Sequence, residues 1–216
     1  MPQNLHAMAL SLSGIQNIIF DLGGVILNID YQLTIDAFTA LGISDFNSMY
    51  TQAAQSQLFD LLETGKCTDQ EFRDGLKPLL PEGVTDAQID AAWNALLQDL
   101  PAERLALVTA AKARYRTFLL SNTNSIHYVQ YIADLKEAHG LDNMNSLFEK
   151  VYLSFEMGQR KPDVEIFETV VREQGLNPSE TLFIDDSIQH IEGARKAGLH
   201  AHHLAGGETI LDLGLL

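Results

Sequence analysis

Basic residues are scarce in this chain. Its 216 residues hold 14 Lys and Arg against 29 Asp and Glu, a formal net charge of −15 at pH 7. Binding to nucleic acid or to an anionic membrane needs a basic stripe, so neither partner is expected. An anionic small molecule fits such a field only where lysine, metal ion and backbone N–H groups gather locally. Cysteine is nearly absent. Cys67 stands alone, which excludes an internal disulfide and suggests a reducing compartment; it reads as a small packing residue rather than a reactive thiol. No apolar run is long enough to span a membrane. The opening residues, MPQNLHAMALSLSG, lack the basic start and continuous apolar stretch of a signal peptide. The expectation is a cytoplasmic protein without a membrane partner.

The remaining composition is that of an ordinary globular chain, 46% hydrophobic and 20% charged, long enough to bury a substantial core. Residues 15–21 are an apolar run ending in Asp21, with Gly23 and Gly24 as breakers, and read as a buried strand entering a tight turn. Residues 25–29 suggest a short extended hairpin. Residues 31–98 change character. Four helical patterns follow one another over 31–42, 46–65, 68–80 and 85–100, with Thr68 and Glu71 as a capping box and Thr85 or Asp86 as a cap. From Pro101 helices alternate with strands: helices over 101–115, 125–140, 163–175 and 188–198, strands over 116–122, 150–156, 181–187 and 200–204. Asp163 is the expected N-cap and Gly175 the stop of the third of these helices. Alternation of this kind implies an α/β fold, a Rossmann-like parallel sheet covered on both faces. Residues 1–30 and 99–216 would form that core, and 31–98 a small helical insertion after the first strand.

Ligands of open parallel sheets bind beyond the carboxyl ends of the strands. Three of these strands end in polar groups: Asp21, Ser121 with Asn122, and Asp185 with Asp186. Lys161 lies on the loop after a fourth. A carboxylate can attack phosphorus and be released again by water, provided the repulsion between anions is neutralised. Mg²⁺ prefers oxygen ligands, and Asp185 and Asp186 would supply them opposite Asp21. A lysine can hold the phosphate, and Ser121 with backbone N–H groups can cradle its remaining oxygens.

Four stretches in order, FDLGGVI at 20–26, LLSNT at 119–123, RKPDVEIF at 160–167 and FIDDS at 183–187, resemble the motifs of the haloacid dehalogenase-like hydrolase superfamily. The resemblance covers nearly the whole chain, with 31–98 in the position of the family's helical cap. It implies a Mg²⁺-dependent phosphatase that hydrolyses a small phosphorylated metabolite through an aspartyl-phosphate. It further implies Asp21 as nucleophile and Lys161 as catalytic, phosphate-binding lysine. Ser121 and Asn122 would lie at the phosphate, and Asp21, the Gly23 carbonyl, Asp185 and Asp186 at the metal. The D-L-G-x-V form followed by Asp30 is similar to the bacterial branch acting on glucose 1-phosphate.

One position departs from the phosphatase pattern. The family usually carries a second Asp two residues after the nucleophile, to protonate the leaving alkoxide; here that residue is Gly23. Asp30, His127, His190 or a residue of the helical segment would have to replace it. Two alternatives accompany this departure: a metal-independent 2-haloacid dehalogenase, whose halide leaves without a proton, and a non-catalytic binding or regulatory protein derived from the fold. His200, His202 and His203 read as a solvated or edge strand, Trp93 and Phe59 as the core of the helical segment, and His190 as a hydrogen-bonding partner near the metal loop.

Overall fold

The structure, a computed structural model, describes residues 10, 12–46, 48 and 57–216. Five strands, β1 (Asn17–Phe20), β2 (Arg116–Ser121), β3 (Lys150–Leu153), β4 (Thr181–Asp185) and β5 (His200–His203), form one parallel sheet in the order β3-β2-β1-β4-β5. The two-residue period of the strands sorts their side chains between two cores. Ile18, Phe20, Leu119, Leu182 and Ile184 point to one face and meet Leu105, Val108, Tyr131 and Leu135 of helices Ala102–Ala111 and Ser125–His139. Ile19, Phe118, Leu120 and Phe183 point to the other and meet Ile166, Phe167, Val170 and Ile191 of helices Val164–Gln174 and Ile188–Lys196. Both faces are thus dry, which is why the central strands read as continuous apolar runs.

The register of the sheet sets up the site. Phe20 pairs with Ile184, and Asp21 N–H donates to the Ile184 carbonyl at 2.9 Å, so Asp21 and Asp185 emerge level with one another from adjacent strands.

Helices Tyr31–Ala40, Leu58–Glu63, Asp69–Leu76 and Asp86–Asn94 build a separate apolar cluster around Phe38, Phe59, Leu62, Phe72 and Ile89. Among the described residues, none from 31–98 belongs to a sheet strand. The expected capping box at Thr68 and Glu71 forms, and Thr85 caps its helix with Gln88 as reciprocal partner. The two chain crossings between the helices and the sheet are tied together. Asn28 N–H donates to the Asp99 carbonyl and Gln98 N–H to the Asn28 carbonyl, each at 2.9 Å, and Ile29 bridges Leu97 antiparallel.

Several boundaries differ from the sequence reading. Residues 25–29 form no hairpin of their own. The N–H groups of Val25, Ile26 and Leu27 all donate to the Leu22 carbonyl, curling the chain tightly, and Ile29 finds its partner across the second crossing instead. The strand expected over 150–156 stops at Leu153, and Ser154–Met157 make one helical turn. The helix expected over 85–100 ends at Asn94, because the following residues are drawn into the crossing. Asp163 occupies the N-cap position without accepting a bond from its helix, while Gly175 ends that helix at φ 60° as expected. Residues 47 and 49–56 of the helix expected over 46–65 lie outside the described residues; its last part is Leu58–Glu63.

Candidate active site

Lys161 is the centre of the polar edge. Its side chain is wholly buried, and Nζ donates to Asp21 Oδ1 and to Asp185 Oδ2, both at 2.7 Å. The ammonium also lies over the Phe183 ring, 5.2 Å from its centroid. Asp185 is further held by Ser187 N–H at 2.8 Å and by His190 Nδ1 at 3.0 Å. One cation thus serves two buried carboxylates, and their titration separates. Burial, reinforced by the charge of Asp185, holds the Asp21 carboxyl above its ordinary range against the pull of Lys161. Burial also acts to raise Asp185, but Lys161 and His190 overcome it and bring it below the ordinary range. For Lys161, burial favours the neutral amine, and the two carboxylates override it, so its pKa is raised. Asp186 is raised by burial and by Asp185.

Asp21, Asp185 and Asp186 each offer a carboxylate oxygen within 4.8 Å of the others. Three hard oxygen donors so close together repel, and a small divalent cation between them would relieve that repulsion, so the donor set fits Mg²⁺. The loop after β1 is shaped for this cluster. Gly24 adopts φ 74°, and a Cβ there would fall 2.1 Å from Asp186 Oδ2. Gly23 has no such constraint: a Cβ would meet only the Ile29 side chain, at 3.3 Å. The breaker pair therefore divides its work, and Gly24 is the residue whose missing side chain matters.

The loop that carries Lys161 is fixed from two sides. Asn122 Nδ2 donates to the Lys161 carbonyl and Lys161 N–H donates to Asn122 Oδ1, both at 2.9 Å. Sequence analysis puts Asn122 at the phosphate; it lines the cavity, and its side-chain amide is also bonded to the Lys161 backbone. On the far side, Gly193 lets its helix approach the Pro162 carbonyl, to which a Cβ would stand at 2.3 Å. Ser121 ends β2 buried, with no side-chain bond beyond its neighbour's carbonyl at 3.4 Å.

These groups open into a cavity of about 690 Å³ whose floor includes Asp21, Gly23, Ser121 and Asp186. Its opposite wall comes from the helical segment and the crossings: Ile29, Ile35, Glu63, Trp93 and Leu97. Trp93 stacks between Phe59 and His127, with ring centroids at 5.3 and 5.1 Å. It is thus both core of the helical segment, as expected, and cavity wall. His127 Nδ1 lies 2.7 Å from Asn94 Oδ1, and burial lowers its pKa to about 3. Asp30 does not line the cavity; it caps helix Tyr31–Ala40 by accepting from Gln32 N–H at 2.9 Å. His190 has the hydrogen-bonding place expected of it, on Asp185. His200, His202 and His203 lie on the sheet's edge strand with three separate partners, the Ser179 carbonyl, Glu208 and the Asp186 carbonyl.

A model of the haloacid dehalogenase-like hydrolases matches residues 15–198. The chain belongs to that family. Among its curated relatives is the D-ribitol-5-phosphate phosphatase of Bacteroides thetaiotaomicron, 32% identical over 193 residues, covering 89% of this chain and 93% of the relative. Among solved structures, a HAD family enzyme of the same bacterium, in complex with magnesium and inorganic phosphate, superposes with a TM-score of 0.84. It is 36% identical and covers 93% of this chain and 99% of that one. The L-2-haloacid dehalogenase of Xanthobacter autotrophicus superposes with a TM-score of 0.58 at 19% identity, covering 88% of this chain and 78% of that one; this likeness is one of fold alone.

Sequence reasoning missed two charged residues of this hydrolase's cavity, Arg160 and Glu63. Arg160 sits beside Lys161 in a motif already singled out, and its neighbour drew the attention. Glu63 carries no motif, and only the packing of its short helix brings it to the wall.

Proposed function

We propose that this chain is a Mg²⁺-dependent phosphatase that hydrolyses small phosphate monoesters through a phosphoryl group carried on Asp21. The observation that carries this reading is the buried Asp21–Lys161–Asp185 array at the foot of the cavity, with Asp186 completing the carboxylate set. Asp21 would attack phosphorus, and Lys161 would hold a phosphate oxygen and keep the nucleophile aligned. Ser121 and the main-chain N–H groups of the loop after β1 would donate hydrogen bonds to the remaining oxygens. Asp21, Asp185, Asp186 and the Gly23 carbonyl are the groups that would hold Mg²⁺, which when bound neutralises charge between nucleophile and phosphate. The relative that acts on D-ribitol 5-phosphate and the magnesium and phosphate complex support the reaction class.

The substrate class within this proposal is a phosphorylated sugar or sugar alcohol. Residues 31–98 act as a cap over 1–30 and 99–216, hinged at the paired crossings near 28–31 and 98–101, and select the substrate by closing on it. The single cysteine and the acidic composition support a reducing cytoplasm as the setting of this activity, and small molecules rather than nucleic acid as its partners. Phosphate release from a panel of phosphorylated metabolites, measured with Mg²⁺ and with EDTA, tests the reading. Turnover of sugar phosphates that EDTA abolishes is expected; undiminished turnover in EDTA, or none on any ester, would reject it.

A further inference from the structure

Departure of an alkoxide from phosphorus needs a proton at the leaving oxygen, and Gly23 has no side chain to deliver one. The cavity narrows the donors. Asp21 and Asp186 belong to the carboxylate set, and His190 is bound to Asp185. His127 is held to Asn94 and stacked under Trp93, and its low pKa keeps the ring neutral. Burial raises the Tyr131 hydroxyl above its ordinary pKa, against proton release. Tyr31 is 67% exposed. Among the described residues, Glu63 is the remaining carboxyl that lines the cavity.

Its position is built. Glu63 ends helix Leu58–Glu63, and the turn that follows rests on the Lys161 side of the core. Gly65, at φ 62°, lies so close to the Phe155 carbonyl that a Cβ would stand 2.1 Å from its oxygen. Arg160, next to Lys161, anchors the same helix. Its Nη1 donates to Asp60, while its Nη2 lies 3.0 Å from Glu63 Oε2. That contact is poorly aligned, and the buried Oε2 has no hydrogen bond. Arg160 therefore positions Glu63 without satisfying it.

We propose that Glu63 is the general acid and base of this enzyme, supplied by the helical segment in place of the side chain missing at Gly23. The role rests on the phosphatase reading above. In the first step an Asp21 oxygen bonds to phosphorus and the bond from phosphorus to the ester oxygen breaks. Its electron pair goes to the ester oxygen, which takes the Glu63 proton and leaves as alcohol. In the second, the Glu63 carboxylate takes a proton from water as the water oxygen bonds to phosphorus. The Asp21–phosphorus bond breaks, its electron pair returns to the Asp21 carboxylate, and inorganic phosphate and protonated Glu63 are restored. Burial supports the assignment, raising the Glu63 pKa to about 7 against the nearby charge of Lys161.

Rapid-mixing kinetics of Glu63→Gln in Mg²⁺ test it, with para-nitrophenyl phosphate and with propyl phosphate. Nitrophenolate leaves without a proton. The variant should therefore release about one equivalent in a burst and then turn over slowly, reduced by roughly 10²–10⁴-fold, as its second step lacks a base. Propyl phosphate should give no burst and a comparable or larger loss, because the first step is impaired as well. Glu63→Asp keeps a carboxyl on a shorter arm and should recover part of both rates. Equal losses on the first step with both esters, or turnover at the wild-type rate, would overturn the role and leave Glu63 as an anchor for Arg160. Failure of the parent reading looks different: wild-type enzyme would release phosphate from neither ester, or Asp21→Asn would give the burst.

Discussion

The carboxyl edge of the sheet and the helices of 31–98 present acids to the same cavity but hold them by different means. At the sheet edge, strand register sets Asp21 beside Asp185, and a single buried lysine bridges them. Their carboxyls are pushed to opposite sides of the ordinary range because the shared cation and the hydrogen bonds favour Asp185. On the helical side, Glu63 stands at the end of a short helix, steered by Arg160 and otherwise raised by burial. One region is a charge array fixed by backbone pairing. The other is an apolar wall of Trp93, Ile35 and Leu97 carrying, among the described residues, one carboxyl whose placement depends on packing. On the proposed reading, the difference teaches that phosphate and metal chemistry would belong to the sheet edge, and proton transfer and substrate choice to the helical side.

The comparison breaks most sharply at the nucleophile. Asp21→Asn should keep the fold and reduce turnover by about 10⁴-fold or more, measured as phosphate release. Residual activity near the wild-type level would move the chemistry off the sheet edge. Next in size is the shared cation. Lys161→Met leaves two buried carboxylates facing each other, and stability in EDTA should fall by about 3–5 kcal/mol by urea denaturation. Mg²⁺ should restore part of that loss by replacing the missing positive charge. A variant as stable as wild type in EDTA would show that the carboxylates do not depend on Lys161.

The seam between the regions gives a smaller, pH-dependent effect. His127 titrates near 3 in the folded chain and near 6.5 when exposed, so the unfolded state binds more protons between those values. Its contribution to stability is complete above pH 6.5 and declines as pH falls toward 3. From about pH 7 to about pH 5 wild type should lose about 2 kcal/mol more than His127→Gln, read by denaturation at both pH values. Equal losses would show the imidazole to be solvated rather than packed under Trp93. The smallest effect contrasts two neighbours in one loop. Gly24→Ala should cost about 1–2 kcal/mol for its left-handed backbone and weaken Mg²⁺ binding by displacing Asp186, as calorimetry would report. Gly23→Ala should leave Mg²⁺ binding unchanged; the reverse order would contradict the loop geometry.

These residues also mark what was legible in the sequence. The apolar runs of β1 and β4 and the polar residues at their ends announced a buried parallel sheet with chemistry at one edge, because strand burial and strand-end position are local properties. Asp21, Asp185 and Asp186 stand at those ends, Ser121 at the end of β2 and Lys161 on the loop after β3, so residue type and position singled them out. The roles of Gly23 and Gly24 could not be divided, since φ and the approach of Asp186 are set by the folded loop. Asn122 was read at the phosphate, but that its amide also pairs with a backbone 39 residues away was not legible, because the pairing exists only in the folded chain. Glu63 was hidden for a similar reason. Its helix is short, carries no motif, and acquires meaning only where Gly65 meets Phe155 and Arg160 reaches across.

The central claim is that phosphorus passes through Asp21. Wild-type enzyme mixed with substrate and Mg²⁺, quenched in acid during turnover and digested, should yield the peptide containing Asp21 heavier by one phosphoryl group, with fragmentation placing the group on Asp21. The same peptide from Asp21→Asn should be unmodified. Steady phosphate release with no phosphoryl group on Asp21 at any time of quenching, or a group found on another residue, would contradict the account.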